Sequence, residues 1–295
     1  MARQTPAVGR AIALLNLLAE TPDRSFKLTE IARTLDMNKA TAHTLLATLA
    51  AAGWVERDAA LGYTLGSALV VLGQAALGRD RLLHAAQLAM RELSDQIGYP
   101  VVLSVPVGSE VVVVSVSDKT RIRGTKMREG SRHPISPPWG TIFAAWWPAD
   151  EVDAWLDTME TPLTGDQRKQ YRDVLAAIRS HGYVIALEDA DSKLQAFLET
   201  VPATITVAQL RSSMAHVLDL MAHGQANTLE IGKDSEYRVS AITAPVFGAD
   251  GRVALTLMAM LEDRLEGREI TRIAKQMLEL SRVVSERAGI TLHKR

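Results

Sequence analysis

The pattern that most constrains this chain lies before Gly53, where three short amphipathic segments are separated by turn residues. Apolar residues recur at helical spacing in Ala11–Ala19, in Leu28–Leu35 and in Ala42–Leu49. Asn38 is a good N-cap for the third segment, and Gly53 suits its end because glycine tolerates a left-handed backbone. The sequence therefore predicts three short helices that share one small core.

A predicted β-hairpin follows these helices. Trp54–Arg57 and Tyr63–Leu65 have the composition of short strands, and the turn residues of Asp58–Gly62 separate them. Helices followed by such a hairpin are typical of a winged helix-turn-helix, in which the second motif helix enters the major groove of DNA. The alternative is a small helical subdomain with a solvated, threonine-rich face. We interpret residues 5–66 as a winged helix-turn-helix DNA-binding domain.

The outward face of the third predicted helix carries the side chains that would meet base edges. The apolar stripe faces the core, so the opposite face presents a lysine, a histidine and threonines. Lysine suits a phosphate or a guanine, and threonine offers a hydroxyl for hydrogen bonds and a methyl group for thymine. The predicted DNA contacts are Lys39, Ala40, Thr41, His43, Thr44 and Thr48 on this helix, with Arg3, Arg10, Lys27 and Arg57 as phosphate contacts around it.

The charge balance limits how such a domain can bind DNA. The 295 residues carry 33 Lys and Arg against 34 Asp and Glu, a formal net charge of −1, which argues against nonspecific coating of nucleic acid. Residues 1–78 hold seven basic and six acidic residues, so a single domain should bind phosphates weakly. We therefore predict a homodimer or homotetramer on double-stranded operator DNA with pseudo-palindromic half-sites.

Residues 67–97 are predicted to form a helical linker and dimerisation segment. Two helical patterns, Ser67–Leu77 and Asp80–Ile97, are expected to end at Gly78 and Gly98. The first pattern is rich in alanine and glycine, which would let a second helix approach closely. The alternative is that this helix packs against its own domain.

Residues 98–290 mix strand and helix patterns, which predicts an α+β, sensor-like domain built on a central sheet. The predicted strands form two hairpins and one further strand: Val101–Val107, Glu110–Ser117, Tyr183–Leu187, Tyr237–Phe247 and Arg252–Leu261. The predicted helices are Trp139–Trp147, Pro148–Met159, a helix between a Thr164–Gln167 capping box and Gly182, Thr206–His223 and Glu266–Ala288.

Several stretches match one protein family in both order and spacing. They are Pro6-Ala7-Val8, Leu28-Thr29-Glu30-Ile31-Ala32, Lys39–Leu49, Gly53–Arg57, Tyr63–Gly66 and, far downstream, Ala244–Phe247 with Asp250–Ala254. On these residues the chain resembles the IclR family of bacterial transcriptional regulators over nearly its whole length. The resemblance implies an N-terminal winged helix that binds operator DNA as a dimer or a dimer of dimers. It also implies a C-terminal GAF-like (profilin-like) domain that binds a small effector.

The chain departs from the family pattern at both predicted sites. Ala40–Thr44 stands where the family often has Ser-Thr-Val-His-Arg, which removes one hydroxyl and one positive charge from the reading face. Leu61 and Gly62 precede Tyr63 in the wing, where the family often has an arginine. Pro134–Phe143 replaces the usual Pro-Leu-His-x-Thr-Ala-x-Gly-Lys-Ala, so the effector half departs further than the DNA-binding half.

We expect the effector to be an apolar or aromatic small molecule. The resemblance places Ala241, Met258 and Met260 at positions that line the effector site in related proteins, and methionines make an adaptable, apolar pocket. Trp139 and Phe143 are further candidates, because an aromatic wall suits such a ligand and four of the five tryptophans lie at positions 139, 146, 147 and 155. The alternative is that these rings fill the core or a subunit interface.

The sequence offers no constellation for a reaction or a metal. It contains neither a Walker loop nor GxSxG nor HExxH, and its lack of cysteine excludes disulfides, thiolate metal sites and cysteine nucleophiles. His216 and His223 are too far apart on one predicted helix to share a metal ion unaided, and Glu188–Asp191 is interpreted as a solvated loop. We predict a regulator that is not an enzyme and that uses neither cofactor nor metal.

No apolar run approaches the roughly 18 residues of a membrane span, so we predict a cytoplasmic protein without membrane contact. The alternative function is a small-molecule-binding protein or an enzyme with an accessory helix-turn-helix. In that alternative the N-terminal domain would mediate protein contact only. DNA binding that depends on Lys39 would distinguish the two functions.

Overall fold

The computed structural model describes residues 5–21, 24–117, 127–137, 139–159, 162–187 and 231–290. The chain divides into two compact units: an N-terminal unit, Met1–Arg81 with Arg128–Gly130, and a C-terminal unit, Leu82–Met127 with Ser131–Arg295. Outside the described residues lie the predictions for Arg3, for the loop Glu188–Asp191 and for the helix Thr206–His223 with its two histidines.

The N-terminal unit is built from short helices and a small antiparallel sheet. Its elements in chain order are α1 (Pro6–Glu20), β1 (Phe26–Lys27), α2 (Leu28–Thr34), α3 (Lys39–Ala51), β2 (Val55–Arg57), β3 (Gly62–Leu65) and α4 (Ala68–Arg79). The strand order is β1-β3-β2. Leu14, Ile31 and Leu46 are fully buried in one core contributed by α1, α2 and α3, and Phe26 and Tyr63 extend it from the sheet. The predicted winged helix-turn-helix is confirmed.

Local signals in the sequence determine where α3 and α4 begin or end. Asn38 caps α3, since its Oδ1 accepts a 2.7 Å hydrogen bond from the backbone N–H of Thr41. Gly53 follows α3 with a left-handed φ of 68°. Both predictions are confirmed, whereas the predicted stop at Gly78 is wrong, because α4 continues to Arg79. One glycine inside a helix costs only about 1 kcal/mol, which is too little to end it.

Strand β1 was not predicted. Phe26 pairs with Tyr63 and Lys27 pairs with Gly62, so β1 lies on the side of β3 opposite to β2. Two residues are too few to display the alternation that identifies a strand in a sequence. The small sheet therefore has one more strand than the predicted hairpin.

The C-terminal unit is an α+β domain, as predicted. The elements that follow α4 are α5 (Arg81–Ile97), β4 (Val101–Val107), β5 (Glu110–Val116), β6 (Arg132–Pro134), α6 (Thr141–Ala144), α7 (Ala149–Leu156), α8 (Gly165–His181), β7 (Val184–Leu187), β8 (Glu236–Phe247), β9 (Val253–Glu266) and α9 (Gly267–Arg287). The six strands form one antiparallel sheet in the order β6-β5-β4-β9-β8-β7. Both predicted hairpins are present, and the pairing of β4 with β9 joins them.

Alternate residues of this sheet belong to different apolar clusters. Leu103, Leu257 and Ala259 lie in the main core, which α5 and α9 share with the strands. Met258 and Met260 alternate with these residues and pack in a separate cluster, so they lie on the opposite face of the sheet. A further core, built largely from α6, α7 and α8, contains the buried ring of Trp155.

The predicted helix Trp139–Trp147 is wrong in length. Only the four residues of α6 are helical, because Gly140 adopts a left-handed φ of 83° immediately before them and Pro148 follows them closely. The next helix, α7, begins directly after Pro148 as predicted but ends at Leu156, three residues before the predicted Met159. Periodicity alone therefore overestimates both helices.

The capping box of α8 is confirmed atom by atom. The Thr164 hydroxyl accepts a hydrogen bond from the backbone N–H of Gln167, and the Gln167 side chain accepts one of 2.9 Å from the backbone N–H of Thr164. Gly182 ends the helix with a φ of 84°. These two signals define both ends of α8 without help from distant residues.

Strand β9 is longer than its apolar pattern predicts. The pattern ends at Leu261, but β9 continues to Glu266, which pairs with Glu236 at the start of β8. Four of the five added residues are charged, and a hydrophobicity pattern does not detect their backbone pairing. The hairpin thereby extends as a polar ribbon, where the Tyr99 hydroxyl donates a 2.9 Å hydrogen bond to Asp263.

Candidate nucleic-acid interface and effector site

Helix α3 has an inner side that is packed and an outer side that is open. Ala42 and Leu46 are fully buried and Leu49 is nearly so, which anchors the helix in the core of the N-terminal unit. The Asn38 cap fixes the first turn, where the backbone N–H groups of a helix otherwise lack partners. Helix α3 is thus anchored on its inner side, and its N-terminal turns are accessible to a ligand on the outer side.

The structure brings together the predicted reading residues on the outer side of α3. Lys39, Ala40, His43, Thr44 and Thr48 are exposed there, and Thr41 beside them is half-buried. The sequence analysis missed Ala47 and Ala51, which are also exposed and lie on the same ridge as Ala40. The helical period would have found them, since residues seven and eleven positions apart share one face.

Two threonine hydroxyls on this face are bonded to the helix itself. Thr44 Oγ1 donates a 3.0 Å hydrogen bond to the carbonyl oxygen of Ala40, and Thr48 Oγ1 donates one of 2.9 Å to the carbonyl oxygen of Thr44. A hydroxyl has a single hydrogen to donate. These two side chains therefore present methyl groups and acceptor lone pairs to the outside.

The predicted phosphate-contacting residues fall into two groups. Arg10 is exposed on α1. Lys27 and Arg57 are instead tied to the wing, since the Lys27 ammonium donates to the Ala60 carbonyl and the Arg57 guanidinium lies 5.4 Å from the centre of the Tyr63 ring. The wing thus holds two cations beside its turn.

The turn of the wing is held by an aspartate. The backbone N–H of Gly62 donates a 2.7 Å hydrogen bond to Asp58 Oδ1, and this bond, with a second from the Ser25 side chain, lowers the pKa of Asp58. Glu56 at the start of the wing accepts a 3.0 Å bond from the backbone N–H of Ser67, which lowers the pKa of Glu56. Both carboxylates hold backbone in place rather than meeting a ligand.

Three of the predicted effector-site residues lie together on one face of the large sheet. Met258 and Met260 follow each other on that face of β9, and Ala241 pairs directly with Met260 across β8 and β9. The two methionines pack in one cluster with Val102, Val113, Val116 and Met127. This face is apolar, with flexible side chains that adapt to a ligand's shape.

Buried hydroxyls adjoin this apolar cluster. Ser104 pairs with Thr256 across β4 and β9, both side chains are buried, and Thr256 precedes Met258 by two residues on the same face. Thr256 was not among the predicted effector-site residues, although strand alternation puts it on the same face as Met258. Ser104 was missed, because its strand reads as a continuous apolar run with no sign of which face would be covered.

The two aromatic candidates occupy different surroundings. Phe143 is buried in the core of α6, α7 and α8, together with Trp155 and, less deeply, Trp146 and Trp147. Trp139 is half-buried in the turn that precedes α6. The structure therefore groups Phe143 with the core tryptophans and not with the methionine cluster.

The described part of the chain contains neither a candidate metal site nor a helix that could span a membrane. Among those residues, no group of three or more His, Cys, Asp or Glu side chains could hold a metal ion. Within the same ranges, each helix is too short or too polar to cross a membrane.

Comparison with known proteins places both units in one family. Residues 7–59 match the model of the IclR helix-turn-helix domain, and residues 74–201 match that of the bacterial transcriptional regulator IclR C-terminal domain. The glycerol operon regulatory protein of Streptomyces griseus is 31% identical over 194 residues, which cover 64% of this chain and 76% of that protein. The HTH-type transcriptional regulator XynR of Escherichia coli is 29% identical over 189 residues, which cover 62% and 75% respectively.

Solved structures share the fold along almost the whole chain. An IclR transcriptional regulator from Alicyclobacillus acidocaldarius superposes with a TM-score of 0.69 at 21% identity, over 97% of this chain and 100% of that one. An IclR homologue from Microbacterium hydrocarbonoxydans, crystallised in complex with 4-hydroxybenzoate, superposes with a TM-score of 0.62 at 16% identity, over 97% and 100%.

A winged helix-turn-helix joined in one chain to an α+β ligand-binding domain defines a transcriptional regulator of the effector-responsive class. The chain belongs to the IclR family of bacterial transcriptional regulators. Its relatives are named as regulators of transcription, and this protein is a DNA-binding regulator and not an enzyme.

Proposed function

We propose that the N-terminal domain binds double-stranded operator DNA by inserting α3 into the major groove. The observation that carries this proposal is the open, N-capped outer face of α3, on which Lys39, Ala40, His43, Thr44 and Thr48 are exposed. The N-terminal turns of such a helix are the part that reaches base edges. Thr41 adjoins this face, and Arg3, Arg10, Lys27 and Arg57 are the proposed phosphate contacts.

The active form is proposed to be a homodimer or homotetramer. Val8 and Ile12 on α1 and Val70 and Val71 on α4 are each more than half exposed, and Leu72 is almost so. Exposed apolar side chains at this density indicate a surface that another chain covers. A second copy would also double the few cationic contacts that one domain offers to DNA. In this proposal residues 5–66 bind DNA, residues 67–97 link the domains and form the dimer, and residues 98–290 bind the effector.

The effector is proposed to be a small apolar or aromatic molecule bound against the methionine face of the sheet. Met258, Met260 and Ala241 would contact the ring or chain of the effector. The hydroxyls of Ser104 and Thr256 would form hydrogen bonds with one polar group of the effector. The 4-hydroxybenzoate bound by the Microbacterium homologue is a ligand of this kind. Trp139 and Phe143 are further candidates for the wall of the effector pocket. We also propose that effector binding changes the affinity for DNA, and that residues 67–97 transmit this change. The protein is proposed to act in the cytoplasm, where its operator is accessible.

A selection experiment tests the DNA-binding proposal. Duplexes with a random central region are selected by the full-length protein at low salt, and the enriched sequence is then titrated with wild type and with Lys39→Ala. We expect one enriched pseudo-palindrome, about tenfold weaker binding by Lys39→Ala, and a shallower salt dependence. Lys275→Ala, the same change at an exposed position on α9, is the matched control and should bind like wild type.

Failure of the wild type to enrich any sequence would contradict operator binding. Equal affinities for the Lys39→Ala and Lys275→Ala variants would instead contradict the placement of α3 at the DNA. The two outcomes are therefore separable in a single set of titrations.

Thermal-shift measurements test the effector proposal. Aromatic monocarboxylates such as 4-hydroxybenzoate and benzoate are compared with small hydroxy and keto acids such as lactate and pyruvate. We expect stabilisation by the aromatic set, and its loss in Met258→Ala but not in the matched control Met37→Ala, which lies in the N-terminal unit. Stabilisation by the small polar acids alone would contradict the proposal.

A further inference from the structure

The sequence of α3 contains few of the side chains that usually read purines. Its thirteen residues are one lysine, one histidine, three threonines, three leucines and five alanines. Arginine or lysine to guanine and asparagine or glutamine to adenine are the commonest base-specific contacts in the major groove. With a single lysine at its first position and no arginine, asparagine or glutamine, the helix must recognise most of its sequence through another property of its outer face.

The hydrogen-bonding capacity of that face is reduced further by the helix itself. The hydroxyl hydrogens of Thr44 and Thr48 are already donated to carbonyl oxygens four residues earlier, at 3.0 and 2.9 Å. Guanine presents only acceptors in the major groove, at O6 and N7. Thr44 and Thr48 in these rotamers therefore have no donor for a guanine edge.

What remains at the centre of the outer face is a ridge of methyl groups. Ala40, Thr44, Ala47 and Ala51 share the ridge, because residues three, four and seven apart lie on one side of a helix, and all four are exposed. Small side chains let the helix axis approach the bases closely. Alanine and threonine methyl groups make apolar contact with the C5-methyl group of thymine, the only such group on the four base edges.

We propose that α3 recognises its half-site through thymine methyl groups, which contact the ridge formed by Ala40, Thr44 and Ala47. Lys39, at the start of the helix, contacts a phosphate, and His43 at the edge of the ridge forms a polar contact with a base. This proposal rests on the proposed binding of operator DNA by α3. It specifies the chemistry that the bases must present, namely thymines in successive positions under the ridge.

Removal of the methyl group from the DNA tests the proposal directly. The sequence enriched from the random pool is resynthesised with deoxyuridine in place of each thymidine of the half-sites, one position at a time and then in both half-sites. Burying one methyl group is worth about 0.8 kcal/mol, or roughly fourfold in affinity, so one contacted thymine should cost about fourfold and a symmetric pair roughly 15-fold. Deoxyuridine outside the half-sites is the control and should leave the affinity unchanged.

Two substitutions at Thr44 separate its methyl group from its hydroxyl. Thr44→Val keeps a methyl group and removes the hydroxyl, whereas Thr44→Ser keeps the hydroxyl and removes the methyl. We expect Thr44→Val to bind within about twofold of wild type and to retain its preference for thymine over uracil. Because the substitution changes both protomers of a dimer, Thr44→Ser should bind roughly 15-fold more weakly. It should also lose that preference at one position of each half-site, as a double-mutant cycle requires for a direct contact. Thermal melting of both variants establishes that the fold is intact.

The outcomes distinguish this inference from the proposed function on which it rests. If the wild type enriches no sequence, operator binding fails and the inference falls with it. If a sequence is enriched but uracil is tolerated at every half-site position, DNA binding stands and methyl recognition is overturned. Strong loss of binding by Thr44→Val with normal binding by Thr44→Ser would likewise overturn it, because the hydroxyl would then be the reading group.

Discussion

The candidate DNA site lies on the outside of a helix, whereas the candidate effector site lies against a covered face of a sheet. On α3 the side chains proposed for contact, such as Ala40 and Thr44, are exposed and contribute little to the core of their own unit. On β9 the corresponding residues Thr256 and Met258 are buried or half-buried and pack with their neighbours. The outer face of α3 can therefore change without loss of the fold, and the sheet face cannot.

This difference also places the two sites under different chemical constraints. A surface site meets a highly charged, hydrated partner, and single side chains there alter affinity more than stability. An interior site shares its residues with the hydrophobic core, so a change of ligand requires a change of packing. Matched substitutions at the two sites should separate these effects.

The largest expected difference comes from the same change, threonine to aspartate, at the two sites. Thr256→Asp places an unpaired carboxylate in the apolar sheet face and should destabilise the C-terminal unit by about 3–5 kcal/mol. Thr48→Asp lies on the exposed side of α3 and should change stability by no more than about 0.5 kcal/mol, while repulsion from phosphates weakens DNA binding about tenfold. Chemical denaturation and DNA titration of both variants provide the measurements.

Similar losses of stability in the two aspartate variants would remove the distinction between an outer and an interior site. Thr48→Asp with unchanged DNA affinity would remove Thr48 from the interface. The threonine-to-serine change at each position is the control for loss of the methyl group alone.

The second largest expected effect is on the stability of the N-terminal unit. It comes from glycine-to-alanine substitutions at Gly66 and Gly73, which differ in their surroundings. A Cβ atom added at Gly66 would lie 2.1 Å from the carbonyl oxygen of Gly53, so the backbone between the wing and α3 would have to move. Gly66→Ala should destabilise this unit by about 3 kcal/mol. Gly73→Ala, in the middle of α4 with no atom within 4 Å of the added carbon, should stabilise it by up to about 1 kcal/mol.

Thermal unfolding of the two glycine variants measures this contrast. Equal stability of Gly66→Ala and wild type would mean that the close approach of the two chain segments is not required. DNA affinity at low temperature should follow the fraction of folded N-terminal domain.

A smaller effect is expected from the two side-chain N-caps, one in each unit. Asn38→Ala and Thr164→Ala each remove a hydrogen bond to the first turn of a helix and should each cost about 1 kcal/mol. Only Asn38→Ala should also reduce DNA affinity, by a few-fold, because it loosens the turn that carries Lys39. A comparable loss of DNA binding in Thr164→Ala would show that the measurement reports general instability and not the interface.

The smallest effect is expected at high pH, in the polar ribbon of the C-terminal unit. Burial and the hydrogen bond to Asp263 raise the pKa of Tyr99 from 10.0 to about 12. The contribution of protonated Tyr99 is therefore complete below pH 10 and is lost as the pH rises through 12. Relative to Tyr99→Phe, the wild type should lose stability between pH 10 and pH 12. Because this pair is partly solvated, its contribution below pH 10 should be less than about 1 kcal/mol.

Denaturant unfolding of wild type and Tyr99→Phe from pH 8 to pH 12 checks this expectation. A constant difference between the two proteins across that range would mean that the Tyr99 hydroxyl makes no bond that matters in solution. The comparison is confined to one unit, so DNA binding should be the same for both proteins at pH 7.

Much of the fold was predictable because its signals are local. The Asn38 cap, Gly53 and the Thr164–Gln167 capping box each act within a few residues, and each appears in the structure where the sequence predicted it. Most of the outer face of α3 was predictable for the same reason, since one helical period and one buried stripe define the opposite side.

The errors in the strands concern features that depend on distant residues. Strand β1 exists only because Phe26 meets Tyr63, and the end of β9 exists only because Glu266 meets Glu236. Strand pairing joins segments that are far apart in the chain. The helix expected at Trp139–Trp147 is a different case, because Gly140 and Pro148 limit it to α6 from within the segment itself.

The sequence by itself determined the class of the protein, helix α3 and the two main hairpins of the large sheet, because caps, turns and periodicity depend on neighbouring residues. Only the tertiary structure decided which side chains share a site. It separated Phe143 from Met258 and Met260, and it placed Ser104 beside Thr256. It also bonded the hydroxyl of Thr44 to its own helix. The physical reason is that site chemistry depends on contacts and rotamers, which packing selects from among the many that a sequence allows.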